Sequence, residues 1–435
     1  MAINEQEIQE IVRSVLKGMG TTAAAPAAPK APEKKLLGIF ETADEAIAAA
    51  KAAQKEIQPM PLEFREKIIA NIRKKTLENA KLLSELAVEE TGMGNVGHKI
   101  IKHQLVAEKT PGTEDLKTIA WSGDRGLTLT EMGPWGVIGA VCPSTNPTCT
   151  VICNSIGMLA AGNAVVFMPH PSAKNCSNLA IDMVNRASVE VGGPENIVTA
   201  VAEPTMDVSN YIFKHKDVDM LCATGGPGVV TAVLSSGKRA MGAGAGNPPV
   251  LVDETANIPK AAQDIINGCT FDNNLPCIAE KEVVVVDTVA DELIYHMEQN
   301  GCYHASPEEV QKLVDTVLDD KNGKKVISRK CVGRSAKVLL GKIGVTVGDE
   351  VRCIIFEGEK THPLIWTELM MPILGIVRVK NVDEGIAVAV ELEHGNRHSA
   401  HMHSTNINNL TRFGKAIDTA IFVKNAPSYA ALGFG

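Results

Sequence analysis

At 435 residues, the chain is long enough for about three structural units at ~150 residues each. Its 51 acidic and 43 basic side chains leave a net charge of −8, which provides no positive excess to hold a nucleic-acid backbone. Hydrophobic residues at 45% against 22% charged exclude wholesale disorder, and 4% aromatics beside 37 glycines disfavour an all-β sandwich.

The first predicted element is a helix over residues 3–19. Ile8, Ile11, Val12, Val15, Leu16 and Met19 follow the spacing of one helical face, and Asn4 with Glu7 suits a cap. Residues 20–36, with Pro26, Pro29 and Pro32 among alanines, read as an extended linker. A helix this short on such a tether needs a partner surface. Thr42 and Glu45 form a capping box for an Ala-rich helix to Ile57, and further helices are predicted over 62–79 and 80–90. Residues 118–132 hold two runs around Gly123-Asp124-Arg125-Gly126 that read as a protruding hairpin.

From Gly133 the pattern changes to short apolar runs at 136–141, 164–168, 197–201 and 219–224, with helical stretches between several of them. A second set follows at 250–254, 282–287, 375–379 and 421–424, with helices starting near Ile258 and Val289. The fold class is α/β, with two βαβ units around buried parallel sheets. No apolar run reaches the ~18 residues of a membrane span, and no secretory leader opens the chain, so a soluble, non-secreted protein with ten mostly reduced cysteines is expected.

Four stretches could carry chemistry. No GxGxxG fingerprint follows a strand, yet Thr224-Gly225-Gly226-Pro227-Gly228 follows one and opens a helix, either as an ordinary turn or as a place where N–H groups meet a phosphate. GAGAGNPP at 242–249 suits close backbone approach to a ligand or site wall, or a plain connector. In FDNNLPCIAEK at 271–281, Asn273, Asn274 and Pro276 are helix-start residues, so Cys277 is expected at a helix N-terminus that favours its thiolate. The other nine cysteines read as core. Asn146, between Thr145 and Pro147 after a strand, offers a side-chain NH₂ to an oxyanion, or a turn. HGNRHSAHMHS at 394–404 has four histidines but no companion ligands at zinc spacing, so no metal is expected.

Taken in order, CPSTNP, MPHPSAK, ATGGPG, GAGAGNPP, FDNNLPCIAEK, TELMMPIL and HSAHMHS resemble the aldehyde dehydrogenase superfamily, in its CoA-acylating branch and most closely the propionaldehyde dehydrogenases of bacterial microcompartments. The similarity runs from about Leu37 to the end. It implies two Rossmann-like domains with an oligomerisation arm: a cofactor domain over 37–117 and 133–242, the arm at 118–132, a catalytic domain over 243–420 and an oligomerisation segment from 421 to 435. Residues 1–19 match an encapsulation peptide and 20–36 its Ala/Pro linker, which implies shell proteins as partners and the compartment lumen, within the cytoplasm, as location.

By the same resemblance Cys277 is the nucleophile and Asn146 with the Cys277 N–H forms the oxyanion hole. Thr224 and Gly225 lie beside the cofactor, and Glu368 binds the nicotinamide ribose. Pro169, His170 and Pro171 fall at the adenosine ribose, with His170 where hydrolytic relatives carry a lysine, and His398 lies near the thiol. Hydrolytic members place a general-base Glu where this chain has Gly242 and Ala243, so the acyl group is expected to pass to another acceptor. The implied cofactors are NAD and coenzyme A, the substrate a short-chain aldehyde with propanal favoured over acetaldehyde, and the assembly a homo-oligomer, dimer or tetramer. The chain ends earlier than the resemblance leads one to expect. A hydrolytic enzyme and a catalytically silent compartment cargo or scaffold are the rival functions.

Overall fold

A computed structural model describes residues 35–434 apart from Asn322. The predicted helix over 3–19 and nearly all of the linker lie outside the described residues. The described residues divide into two compact units: 35–79, 106–223 and 233–241 make the first, and 80–105, 224–232 and 242–434 the second.

In the first unit, β1 (Ile39–Phe40) precedes an antiparallel hairpin of β2 (Ile119–Gly123) and β3 (Gly126–Thr130). Then come β4 (Val137–Val141), β5 (Ala164–Met168), β6 (Val198–Val201), β7 (Met220–Thr224) and β8 (Arg239–Ala243). The sheet order is β1-β6-β5-β4-β7-β8, and every pairing from β1 to β7 is parallel. The helix Ala43–Ile57 starts at the expected capping box, with Thr42 accepting from the Glu45 N–H and Glu45 from that of Thr42. It buries Ala46, Ile47, Ala50, Ala53 and Ile57, which fall on one face at helical spacing.

The hairpin sits where residues 118–132 predicted it. Its pairing puts Ile119 and Trp121 on one face and Leu127 and Leu129 on the other, and each is at least half exposed. A lone two-stranded ribbon is marginal in water, and one that exposes apolar side chains on both faces needs a covering surface.

Two corrections concern the opening helices. The stretches 62–79 and 80–90 form one helix, Leu62–Thr91, because no glycine or proline interrupts them. A further helix, Val96–Lys109, was not predicted. Its buried residues include Lys99, Lys102 and His103, while Ile101 faces outward, so hydrophobic periodicity is inverted there.

The second unit is built on a seven-stranded, fully parallel sheet. Its strands are β9 (Pro249–Val252), β10 (Glu282–Val286), β11 (Cys302–His304), β14 (Cys353–Glu357), β15 (Ile373–Val379), β16 (Ser399–His403) and β17 (Ile421–Lys424), while β12 (Leu318–Lys321) and β13 (Lys324–Ile327) form a separate hairpin. The order is β11-β14-β15-β10-β9-β16-β17. Alternation along β10 sends Val284 and Val286 to one core and Val283 and Val285 to the other. Helices Pro307–Val317, Val382–Leu392 and Ile407–Ile417 cover the first face, and Ile258–Thr270 and Asp287–Gln299 the second. The histidine-rich stretch supplies β16. Burial holds His401 down to about 4 and His403 down to about 3, so both are neutral strand residues at ordinary pH.

Candidate active site

Three of the singled-out positions stand at the carboxyl ends of adjacent parallel strands in the first sheet. Asn146 follows β4 and is the N-cap residue of helix Pro147–Ala160. Pro169, His170 and Pro171 follow β5, and the His170 ring accepts from the Ser172 N–H at 3.2 Å to cap a 3₁₀ turn over Pro171–Ala173. Thr224 ends β7, and the Gly225 N–H donates to the Ala243 carbonyl at 3.1 Å. Ligands of open α/β sheets bind outside this edge of the strands. Added Cβ atoms at Gly226, before helix Pro227–Leu234, and at Gly228, in its first turn, would meet nothing within 4 Å, so the backbone there is open to approach.

The second unit brings together Cys277, Glu368 and His398. The segment before Cys277 leaves helix Ile258–Thr270 through a tight 3₁₀ turn in which Asp272, Asn273 and Asn274 all have positive φ, at 50°, 54° and 65°. Such left-handed residues each cost about 1–3 kcal/mol and persist only where surroundings hold them. Asn274 is held by donating to the Cys269 carbonyl at 3.0 Å and the Glu280 carbonyl at 2.9 Å. Asp272 accepts from the Asn95 N–H at 2.8 Å and pairs with Lys99 and Lys102.

The structure corrects the expected setting of Cys277. Its residue lies in a turn, and the chain enters β10 without an intervening helix. The local signals for a helix start instead belong to the left-handed turn, a conformation Asp and Asn tolerate. Burial pushes the Cys277 thiol up, Lys281 and the N–H groups of Cys277 and Ile278 pull it down, and Glu368 raises it further. Glu368 is itself raised by burial, with Lys281 and the Gly246 N–H acting against that.

The glycine-rich stretch closes against this turn. A Cβ at Gly246 would stand 2.8 Å from the His398 ring and 3.2 Å from the Cys277 carbonyl, closer than the surroundings allow. The Gly246 N–H points at Glu368 Oε1 at 3.4 Å, and the Lys281 N–H donates to the Pro248 carbonyl at 3.1 Å. His398 Nδ1 pairs with Ser399 Oγ at 2.8 Å, and burial together with Lys281 lowers its proton affinity. The adjacent His401 holds the turn from below through Nε2, 2.8 Å from the Ile278 carbonyl. Glu280 accepts from the N–H and hydroxyl of Ser428 at 2.8 and 2.6 Å, and burial pushes its carboxyl up to about 7. Lys281 went unnoticed in the sequence, since one lysine in 43 basic residues carries no local signal of burial.

Gly246→Ala is expected to slow alkylation of the Cys277 thiol by about tenfold or more, because displacing His398 and the Cys277 peptide disturbs the site by a few tenths of an ångström. Peptide mapping after iodoacetamide treatment measures it; an unchanged rate would show that the contact at Gly246 does not shape the thiol's surroundings.

Residues 37–434 match the aldehyde dehydrogenase family. Over 436 aligned residues the chain is 46% identical to the acetylating acetaldehyde dehydrogenase EutE of Escherichia coli K12, an alignment spanning all of this chain and 92% of that one. It is 63% identical to the propionaldehyde dehydrogenase of the Clostridium phytofermentans fucose-utilisation microcompartment, with a TM-score of 0.90 over 92% of this chain and 91% of that one. A Rhodopseudomonas palustris propionaldehyde dehydrogenase solved with bound CoA and an acylated cysteine is 53% identical, with a TM-score of 0.89 over the same shares. Sequence and fold agree along nearly the whole length, and the chain belongs to the aldehyde dehydrogenase family.

Proposed function

We propose that this chain oxidises a short-chain aldehyde, propanal in preference to acetaldehyde, to its acyl-CoA with reduction of NAD⁺, using Cys277 as nucleophile. The observation that carries the reading is a half-buried thiol on a strained turn packed against Gly246, at the end of a stretch, 242–246, that contains no acid or base. Relatives named for CoA acylation support it along their length.

The Cys277 thiolate attacks the aldehyde carbon to give a thiohemiacetal, whose oxyanion is met by the Cys277 N–H and, on the reading from resemblance, by Asn146. When bound, NAD⁺ accepts the hydride that leaves a Cys277 thioester. The open backbone at Gly226 and Gly228, the Thr224-Gly225 turn and residues 169–171 suit the nucleotide, and Glu368 a ribose hydroxyl. Gly242 and Ala243 offer no side chain to activate water, so the CoA thiol takes the acyl group and returns Cys277, with one proton released overall. One methylene separates the two aldehydes and is worth only about 1–3 kcal/mol, so both should turn over.

The assay that decides is NADH formation from propanal with and without CoA. Strict dependence on CoA, and loss of activity by at least about three orders of magnitude in Cys277→Ala, are expected. Equal rates without CoA point to the hydrolytic enzyme, and no NADH in the parent to a silent cargo.

The hairpin of β2 and β3 supports a homo-oligomer, since Trp121, Leu127 and Leu129 need cover. Leu127→Asp with Leu129→Asp should lower the mass seen by light scattering toward the monomer; a mass equal to the parent's would remove the hairpin from the interface.

The helical spacing of residues 3–19 supports docking on a microcompartment shell, with the enzyme enclosed. Deleting residues 1–19 should leave turnover intact and abolish co-sedimentation with shells. Retained co-sedimentation would refute the address.

A further inference from the structure

Lys281 is 4% exposed, and its Nζ lies 2.5 Å from Asn274 Oδ1, 3.1 Å from the Asn274 carbonyl and 3.5 Å from the Pro276 carbonyl. A neutral amine has two hydrogens to offer three acceptors, and an ammonium has three. All three oxygens are uncharged, and among the described residues Lys281 forms no ion pair within 4.0 Å. The neighbouring carboxyls do not supply a counter-charge at contact. Glu280 is turned to Ser428. Glu282 is fully buried, both its oxygens lack hydrogen-bond partners among the described residues, and burial raises its proton affinity well above the ordinary carboxylate range.

Burial lowers the proton affinity of Lys281, with Glu368 the main charge acting against that, and a buried cation is costly unless an anion is present when it matters. Four residues before it stands Cys277, which has no helix terminus to favour its thiolate. We propose that Lys281 is a positioning residue of the reaction: its ammonium ties Asn274 to Pro276, fixing the turn that carries Cys277, and supplies the positive charge beside which that thiol ionises. The inference rests on the reading of Cys277 as nucleophile. Lys281 spends its three N–H groups on loop oxygens, so it acts through its field and through the loop's shape. Cys277 faces Lys281 and Glu368. Lys281 faces Glu368, Cys269, Cys277 and Glu282, and its charge also reaches His398 and His401. The sign is fixed by this arrangement: the cation stabilises the thiolate and lowers the pH at which it forms, and loss of the cation raises that pH.

The test is the pH profile of iodoacetamide alkylation at Cys277, located by mass spectrometry in the full chain without substrates. In Lys281→Gln the midpoint should rise by about one pH unit and the rate near pH 7 should fall about tenfold. Lys281→Arg keeps the charge and should stay near the parent profile. A purely structural lysine would lower the thermal midpoint of Lys281→Gln while leaving the alkylation midpoint in place, and that result overturns the proposal. Should Lys281→Gln not fold, Glu368→Gln tests the same field from the other side: with one anion removed, the midpoint should fall, and an unchanged or higher midpoint overturns the proposal. If Cys277 is no more reactive than the other cysteines in the parent, the nucleophile assignment fails instead.

Discussion

The chemistry of the second unit depends on a loop that would not hold its shape unaided. Asp272, Asn273 and Asn274 sit in succession in the left-handed region, a combined cost of several kcal/mol. Opposing it are the two carbonyl bonds of Asn274, the grip of Lys281 on Asn274 and Pro276, and the His401 bond to Ile278. These contacts come from the end of a helix, the two residues just before β10 and a strand of the same sheet. The thiol's position therefore depends both on bonds that residues 269–281 make among themselves and on the strand that holds Ile278.

That dependence explains what the sequence made legible. The strands were readable because apolar runs such as EVVVVD carry their own signal, and the first helix because its capping box is local. The Cys277 motif was recognisable as a string, yet its setting was misread: Asn marks a helix start and a left-handed turn equally well, and the bonds of Asn274 to Cys269 and Glu280 go with the turn. Val96–Lys109 escaped for a related reason, since its inward face is polar around Asp272. Hydrophobic periodicity reports burial only where burial is apolar.

The same limit applies to the histidines. Four of them in eleven residues raise the question of ligation, which the lack of companion ligands at zinc spacing speaks against; β16 takes His401 and His403 into the interior as neutral rings, one of which anchors the turn that carries Cys277. What distinguishes a strand from a metal site there is pairing with β9 and β17, information spread over some 170 residues of chain.

The glycine-rich wall shows how one motif divides its work. At Gly246 a Cβ would stand 2.8 Å from the His398 ring and 3.2 Å from the Cys277 carbonyl, so the neighbours would have to shift and this residue packs tightly against them. At Gly244, two residues earlier on the same stretch, a Cβ would meet nothing within 4 Å. The wall is thus shut beside the thiol and open upstream, where Gly242 and Ala243 also carry no ionisable group. On the proposed reading, a thioester on Cys277 would find no acid or base in this stretch to recruit water, and the backbone at Gly244 stands open to approach. Those two conditions together favour an acceptor that brings its own nucleophile and its own bulk, as a thiol on a long flexible arm does.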